Sequence, residues 1–187
     1  EISLKIARLN EAGIDKNSIY DNEFVVSNKF ANYKFIKADL CDKQTLLTLF
    51  EKEKFDYVVN LAAQAGVRYS LENPSAYSES NILGFQRVID FVKQKEIGAF
   101  IYASSSSVYG KDSKQPFNED EPCITPESYY AATKRSNELT AKSYWKTFNV
   151  SSVGLRFFTV YGPWGRPDMA PMLFASAAYN KRPIMVF

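Results

Sequence analysis

The sequence predicts an α/β protein built on an open, doubly wound parallel sheet. Three observations carry that prediction. Strand-like and helix-like stretches alternate along the chain, at lengths that make parallel neighbours joined by helical crossovers. Two stretches, Asp56-Tyr-Val-Val-Asn-Leu-Ala-Ala and Ala99-Phe-Ile-Tyr-Ala, are apolar on both faces, as strands buried between helix layers are. The residues with chemistry fall just past strand ends, at Asp39, Ala62 to Gln64, Ser104 to Ser107 and Thr159. Ligands of such sheets sit at that carboxyl edge.

Taken in order, Glu1 to Leu9 reads as a helix or turn already under way, and Asn10 to Asn32 as irregular and polar. Tyr33-Lys-Phe-Ile-Lys-Ala alternates as a strand and ends at Asp39. Leucines at helical spacing make Thr45 to Lys52 a helix. After the strand Asp56 to Ala63, Pro74 opens a long helix reaching Glu96. Tyr77, Asn81, Phe85, Val88 and Val92 lie along one stripe of it. The strand Ala99 to Ala103 leads into a serine run. A loop follows, Tyr109 to Pro126, marked by Gly110, Pro116, Pro122 and Pro126. Glu127 to Phe148 is helical and Val150 to Phe157 a strand. Then come a Gly/Pro-rich loop, Gly162 to Pro167, a helix over Ala170 to Tyr179, and the start of a strand at Ile184 to Phe187.

With 187 residues, 45% of them hydrophobic, the chain suits one domain with a buried core. A net charge of +2 gives no electrostatic footprint for nucleic acid, so no nucleic-acid partner is expected. No apolar run is long enough for a membrane span, and no signal-peptide pattern opens the sequence. A cytoplasmic location without membrane contact is the expectation. Cys41 and Cys123 give no disulfide framework. The chain has no histidine, which excludes a His-based triad and His-ligated zinc, and no metal is expected. Acid–base work at neutral pH falls to Tyr, Lys, Ser or carboxylates.

Tyr130 and Lys134, in Tyr-Ala-Ala-Thr-Lys, are four residues apart and share one helix face. An ammonium beside a phenol favours the phenolate. A serine of the run Ser104 to Ser107 would hold the same substrate oxygen. That is a proton-handling site beside a carbinol carbon, the arrangement needed when hydride leaves that carbon. The spacing alone also fits a solvated helix pair. A dinucleotide site of this kind further needs a Gly-x-x-Gly-x-x-Gly turn after the first strand. The eight glycines here are scattered, and the expectation is a chain that begins downstream of that turn and ends at a strand start, the middle of a longer enzyme.

Four strings stand in order: Asn60-Leu-Ala-Ala-Gln-Ala-Gly-Val-Arg-Tyr-Ser, Tyr102-Ala-Ser-Ser-Ser-Ser-Val-Tyr-Gly, Tyr130-Ala-Ala-Thr-Lys and Gly154-Leu-Arg-Phe-Phe-Thr-Val-Tyr-Gly-Pro-Trp-Gly-Arg-Pro-Asp-Met. Together they resemble the extended short-chain dehydrogenase/reductase family, and within it the UDP-glucuronate 4-epimerase branch of the NAD-dependent epimerases and dehydratases. The resemblance covers essentially the whole chain. It implies a Rossmann-type doubly wound sheet lacking its first βαβ element, with only the start of the substrate domain. Residues 1–157 would be a partial NAD-binding domain, and 158–187 a substrate-facing loop opening a C-terminal domain.

The resemblance also implies roles. Asp39 and Leu40 match the adenine-contacting pair, and Leu61, Ala62 and Ala63 the segment packed on adenosine and pyrophosphate. Asn81 matches an asparagine near the nicotinamide, and Phe157 a residue lining it. Gln64, Ala103 and Ser104 fall among the cofactor contacts. Ser105, Tyr130 and Lys134 match the catalytic set, and Tyr130 and Lys134 also reach the cofactor. Thr159 and Arg166 match positions facing the sugar; Arg68, Ser106 and Ser107 join them as substrate contacts. Several keep a second reading. Asp39 is also a natural helix N-cap. Asn81 is also a satisfied buried amide, and Arg166 also a surface arginine. Arg68 and Gln64 either line the pocket or brace the loop, Ser106 and Ser107 either touch substrate or form a turn, and Tyr161, Trp164 and Phe157–Phe158 are equally core.

The reaction so implied has Tyr130 taking the proton from the sugar C4 hydroxyl as the C4 hydride passes to NAD. The 4-keto sugar turns over and the hydride returns to its other face. Family members that dehydrate or decarboxylate carry an acidic residue at or near the position after the catalytic serine or threonine. Here Ser106, Ser107 and Val108 follow, which points away from elimination. The expected partners are a UDP-sugar and a second copy of the chain, the helices Pro74–Glu96 and Glu127–Phe148 pairing across a homodimer with Tyr77, Phe85 and Tyr144 as seam candidates. The other readings are another nucleotide-sugar epimerase, or a decarboxylase or dehydratase, of the same family, and an inactive truncated chain that binds neither ligand tightly.

Overall fold

Two sheets form in two compact units, residues 1–37 with 158–187 and residues 38–157, and the computed structural model describes residues 2–184. The strand expected over Ile184–Phe187 lies, Ile184 aside, outside the described residues.

In the first unit α1 (Ile2–Glu11) precedes a hairpin of β1 (Phe24–Val26) and β2 (Lys34–Ile36), paired antiparallel with Phe24 opposite Ile36. This corrects two expectations. The stretch Asn10 to Asn32 is not all irregular, and the strand at Tyr33–Ala38 is short and pairs with β1 instead of joining the parallel sheet. Three residues flanked by Glu23 and Ser27 carry too little alternation to be read as a strand; only the partner across the turn defines it. Within this unit the Arg8 side chain donates to the Trp164 carbonyl, its Nε at 3.1 Å.

The second unit holds the parallel sheet. α2 (Lys43–Lys52) starts on Asp42, whose carboxylate accepts from the Gln44 and Thr45 amides. β3 (Tyr57–Asn60), β4 (Ala99–Ala103) and β5 (Ser152–Leu155) lie in the order β3-β4-β5, with Asn60 beside Tyr102 and Tyr102 beside Gly154. A side chain at Gly154 would collide with the Tyr102 ring, its Cβ 2.6 Å from Cζ.

Between β3 and β4 the expected long helix is interrupted. α3 (Tyr69–Glu72) and α4 (Pro74–Tyr77) lead into a widened π turn, Ser78–Leu83, before α5 (Gly84–Gln94). Asn73 caps α4 and Pro74 takes its first position, as a missing N–H there is harmless. The predicted stripe survives the interruption, since Tyr77, Asn81, Phe85, Val88 and Val92 are all buried. A single π turn adds one residue and rotates the helix, a feature that hydrophobic spacing does not reveal. After β4, α6 (Tyr129–Phe148) begins on the Ser128 hydroxyl and ends on Asn149 in the left-handed conformation, φ 58°. Ala170–Tyr179 forms α7 in the other unit, over the range expected.

Leu46 and Phe50 of α2, Phe85, Val88, Ile89 and Val92 of α5, Ala141 of α6, and Phe100 and Tyr102 of β4 make one apolar cluster. The opposite sheet face is different. Tyr57 and Val59 stay exposed, Val59 at 57%, which corrects the expectation that this strand is buried on both sides. The unit's core helices pack on the Phe100/Tyr102 face, and period-two alternation sends Tyr57 and Val59 the other way.

Candidate active site

The site is assembled at the carboxyl ends of β3 and β4 by α6. Tyr130 and Lys134 sit one turn apart near its start, with the Lys134 Nζ 6.0 Å from the Tyr130 ring centre. Lys134 is 3% exposed and donates to the Ala103 carbonyl at 2.8 Å. Burial pulls its pKa down from 10.5 to about 8. The unfolded chain therefore binds the extra proton between about 8 and 10.5, and this group's contribution to stability rises with pH across that window. In Lys134→Met, which has no charge to bury, the melting temperature relative to wild type should fall between about pH 8 and 10.5 and change little below that window. A difference that stays constant with pH would contradict this.

The serine run divides its labour. Ser104 and Ser105 are buried. Ser104 donates to Glu138 Oε1 at 2.5 Å, while the Ser105 hydroxyl accepts from the Ser107 amide at 3.2 Å and caps the short 3₁₀ turn Ser106–Tyr109. Backbone bonds seat this turn on the end of β5, from the Ser104 amide to Leu155 O at 2.8 Å and from the Ser106 amide to Phe157 O at 2.9 Å. Ser106 and Ser107 thus take part in a turn, and Phe157, 41% exposed, lies beside it.

Across the edge, Leu61 and Ala62 are exposed just past β3, and the Asn60 side chain accepts from the Ala62 amide at 3.1 Å. Asn81, inside the π turn, clamps Gln64 from both sides: it accepts from the Gln64 amide at 2.8 Å and donates to its carbonyl at 3.1 Å. It also donates to Thr133 Oγ1 at 3.0 Å, and Thr133 donates to the Tyr130 carbonyl at 2.8 Å. Asn137 completes the network once its amide is assigned with the nitrogen facing the carbonyls of Asn81 and Thr133, the orientation that satisfies both ends. Asn81 is thereby a satisfied buried amide that also joins the Ala63–Gln64 segment to the helix of Tyr130. Tyr77 packs edge-on against Tyr130, centroids 6.1 Å apart, and donates to the carbonyls of Ala65 and Gly66.

Asp39 is exposed and accepts from the Cys41 amide at 2.7 Å. The helix N-cap is Asp42, so the capping reading of Asp39 does not hold. Leu40 is half-buried against the core cluster. Arg68 stands exposed at the start of α3. Thr159 and Arg166 belong to the other unit, both exposed; Arg166 is paired with Asp168, its Nε 2.9 Å from Oδ1. Tyr77 and Phe85, offered as seam residues, are buried inside this unit, and Tyr144 is half-buried and donates to Asp90 at 2.6 Å.

Sequence reasoning missed Thr133, Asn137, Glu138 and Arg156. The signal for Glu138 was present: it stands four residues after Lys134 on the same helix face. Among the described residues no helix is long and apolar enough to cross a membrane, and no group of three or more Cys, Asp or Glu side chains is placed to hold a metal ion.

A buried lysine, a tyrosine one helical turn before it and a capped serine turn thus stand together at the carboxyl edge of a parallel sheet. The profile of the NAD dependent epimerase/dehydratase family matches residues 5–187, and the chain belongs to that family. It is 50% identical over 156 residues to protein CapI of Staphylococcus aureus, covering 83% of this chain and 47% of that protein. It is 46% identical over 153 residues to UDP-glucuronate 4-epimerase 4 of Arabidopsis thaliana, covering 81% of this chain and 35% of that one. The Bacillus cereus UDP-glucuronic acid 4-epimerase solved with UDP-glucuronic acid and NAD superposes with a TM-score of 0.77 at 32% identity, over 100% of this chain and 53% of that chain. A UDP-N-acetylglucosamine 4-epimerase from Methanobrevibacter ruminantium, solved with UDP-N-acetylmuramic acid, gives 0.71 at 32% identity over 83% of this chain and 51% of that chain. The chain thus spans about half the length, or less, of the relatives it matches.

Proposed function

We propose that the protein is an NAD-dependent nucleotide-sugar 4-epimerase interconverting UDP-glucuronate and UDP-galacturonate. The observation that carries this reading is the junction of Tyr130, Lys134 and the Ser105 turn at one sheet edge, in a chain of this family. The residues present fit the nicotinamide end of NAD. The Lys134 ammonium has three N–H donors and gives one to Ala103, which leaves donors for ribose hydroxyls. Asp39, Leu40, Leu61, Ala62 and Ala63 would hold the adenosine side, and Asn81, through Gln64, would fix the loop between. NAD, when bound, supplies the acceptor and donor of hydride. Tyr130 moves the proton at the sugar O4, Ser105 hydrogen-bonds that oxygen, and Lys134 places a positive charge beside the phenol.

The sugar is argued from two features. Relatives named for glucuronate match over four-fifths of the chain. No carboxylate follows Ser105 to protonate a leaving hydroxyl, which favours epimerisation over dehydration. Arg166, with Thr159 of the same unit, would restrain the substrate carboxylate, and a substrate carboxylate would take the place that Asp168 now holds. The direct test is the full-length protein with UDP-glucuronate and no added reductant, UDP-galacturonate being followed by NMR; its absence refutes the reading. Arg166→Leu should weaken binding of UDP-glucuronate by ~1.5–3 kcal/mol more than that of UDP-glucose or UDP-N-acetylglucosamine. Equal losses would show that Arg166 does not read the carboxylate. We place the enzyme in the cytoplasm as a homodimer, with the exposed Leu83, Leu139, Trp145 and Phe148 in place of Tyr77 and Phe85 as apolar candidates for the seam. A monomer in light scattering of the full-length protein would rule the dimer out.

A further inference from the structure

The end of β4 is fastened to α6 twice, and the second fastening has no assigned role. Lys134 holds the Ala103 carbonyl; one turn further along α6, Glu138 holds the hydroxyl of the next residue, Ser104. The Glu138 side chain is 11% exposed and sits between two cations, Arg135 Nη1 at 2.6 Å and the Arg156 guanidinium at 2.9 and 3.1 Å. Arg156 in turn lies over the Tyr109 ring, 4.8 Å from its centre, and donates to the Glu119 carbonyl at 3.2 Å. One carboxylate therefore gathers β4, β5, α6 and the loop after the serine turn. Burial alone would raise its pKa, but the hydrogen bonds from Arg156, Ser104 and Arg135 prevail and hold it below the usual carboxylate range. It is charged at neutral pH. A glutamine in its place would turn an N–H donor towards guanidinium or hydroxyl donors.

We propose that Glu138 is a positioning residue: through Ser104 it locks the end of β4, and with it the Ser105 turn and the Ala103 carbonyl that holds Lys134, against the helix that carries Tyr130. The inference rests on the function proposed above and adds a residue to it. Glu138 touches neither Tyr130 nor any reacting atom; it acts by fixing the relative placement of two elements that must present their groups to one oxygen. Displacements of an ångström at such a junction reduce turnover by about a hundredfold.

The test uses the full-length protein with Glu138→Gln, Ser104→Ala and the double variant. Each is measured for kcat, KM, melting temperature and, without substrate, amide hydrogen exchange over residues 103–107. Expected is a fall in kcat of about 10–100-fold with KM nearly unchanged, and exchange at Ser104 to Ser107 about tenfold faster at a temperature where all variants are folded. The double variant should lose little more than Glu138→Gln alone, because the two act through one contact. Additive losses in kcat, or exchange rates equal to wild type, overturn the proposal. If Glu138→Gln does not fold, Ser104→Ala, which leaves both ion pairs in place, decides by the same kcat and exchange readings. A wild-type protein inactive on every UDP-sugar would remove the proposed function, while the exchange comparison would still decide whether Glu138 locks the turn.

Discussion

Replacing Tyr130 by phenylalanine should lower kcat of the full-length protein by ~10²–10⁴-fold, the usual loss when a positioned acid–base group is removed. The substitution deletes one oxygen and leaves the ring where it packs against Tyr77. The Lys134–Ala103 bond and the Asn81–Thr133 network do not involve that oxygen, so folding should be preserved. A loss confined to kcat, with UDP-sugar binding and melting temperature close to wild type, identifies Tyr130 as the proton carrier. Turnover within tenfold of wild type would remove it from that role and, with it, the reading of the site.

The second large effect is on stability. Phe100→Ala should destabilise the protein by ~3–5 kcal/mol, the range for emptying an aromatic core position. Phe100 is 0% exposed and its ring lies 5.4 Å from that of Phe85 and 5.5 Å from that of Tyr102. It is the point at which the central strand meets α5, and neither neighbour can fill the void without leaving its own rotamer. In thermal unfolding this corresponds to a drop of about 6–20 °C for a chain of this size. Val59→Ala, on the exposed face of the same sheet, is the control and should change stability by no more than ~0.5 kcal/mol. If the two substitutions cost the same, both faces of the sheet are covered and the core is not one-sided.

The helices were readable because their signals are local. Leucine spacing marked most of α2, Pro74 takes the first position of α4, and Ala170–Tyr179 forms over the expected residues, whereas the caps Asp42 and Ser128 that begin α2 and α6 were not read. The pairing of strands was less so. Nothing in Phe24–Val26 marks it as a strand until Ile36 and Lys34 lie opposite, and nothing in Tyr57-Val-Val tells which face a helix will cover. The π turn around Asn81 was illegible for a related reason: it preserves the buried stripe while changing the turn that carries it.

The same division runs through the site. The sequence by itself determined which residues meet at the sheet edge, because a strand end and a helix start fix where Ser105, Tyr130 and Lys134 emerge. It narrowed their possible chemistry too, since a chain without histidine has few groups able to move a proton at neutral pH. Only the tertiary structure decided how those groups are held. That Ser104 turns to Glu138 while Ser105 caps its own turn, that Asn81 grips Gln64 and Thr133 together, and that Arg166 is paired with Asp168 depend on partners 2 to 52 residues away. Residue type and local spacing specify which hydrogen bonds a side chain is able to make. Packing of separate elements selects among them, because burial makes an unpaired polar group costly and leaves only the arrangement in which nearly all are satisfied.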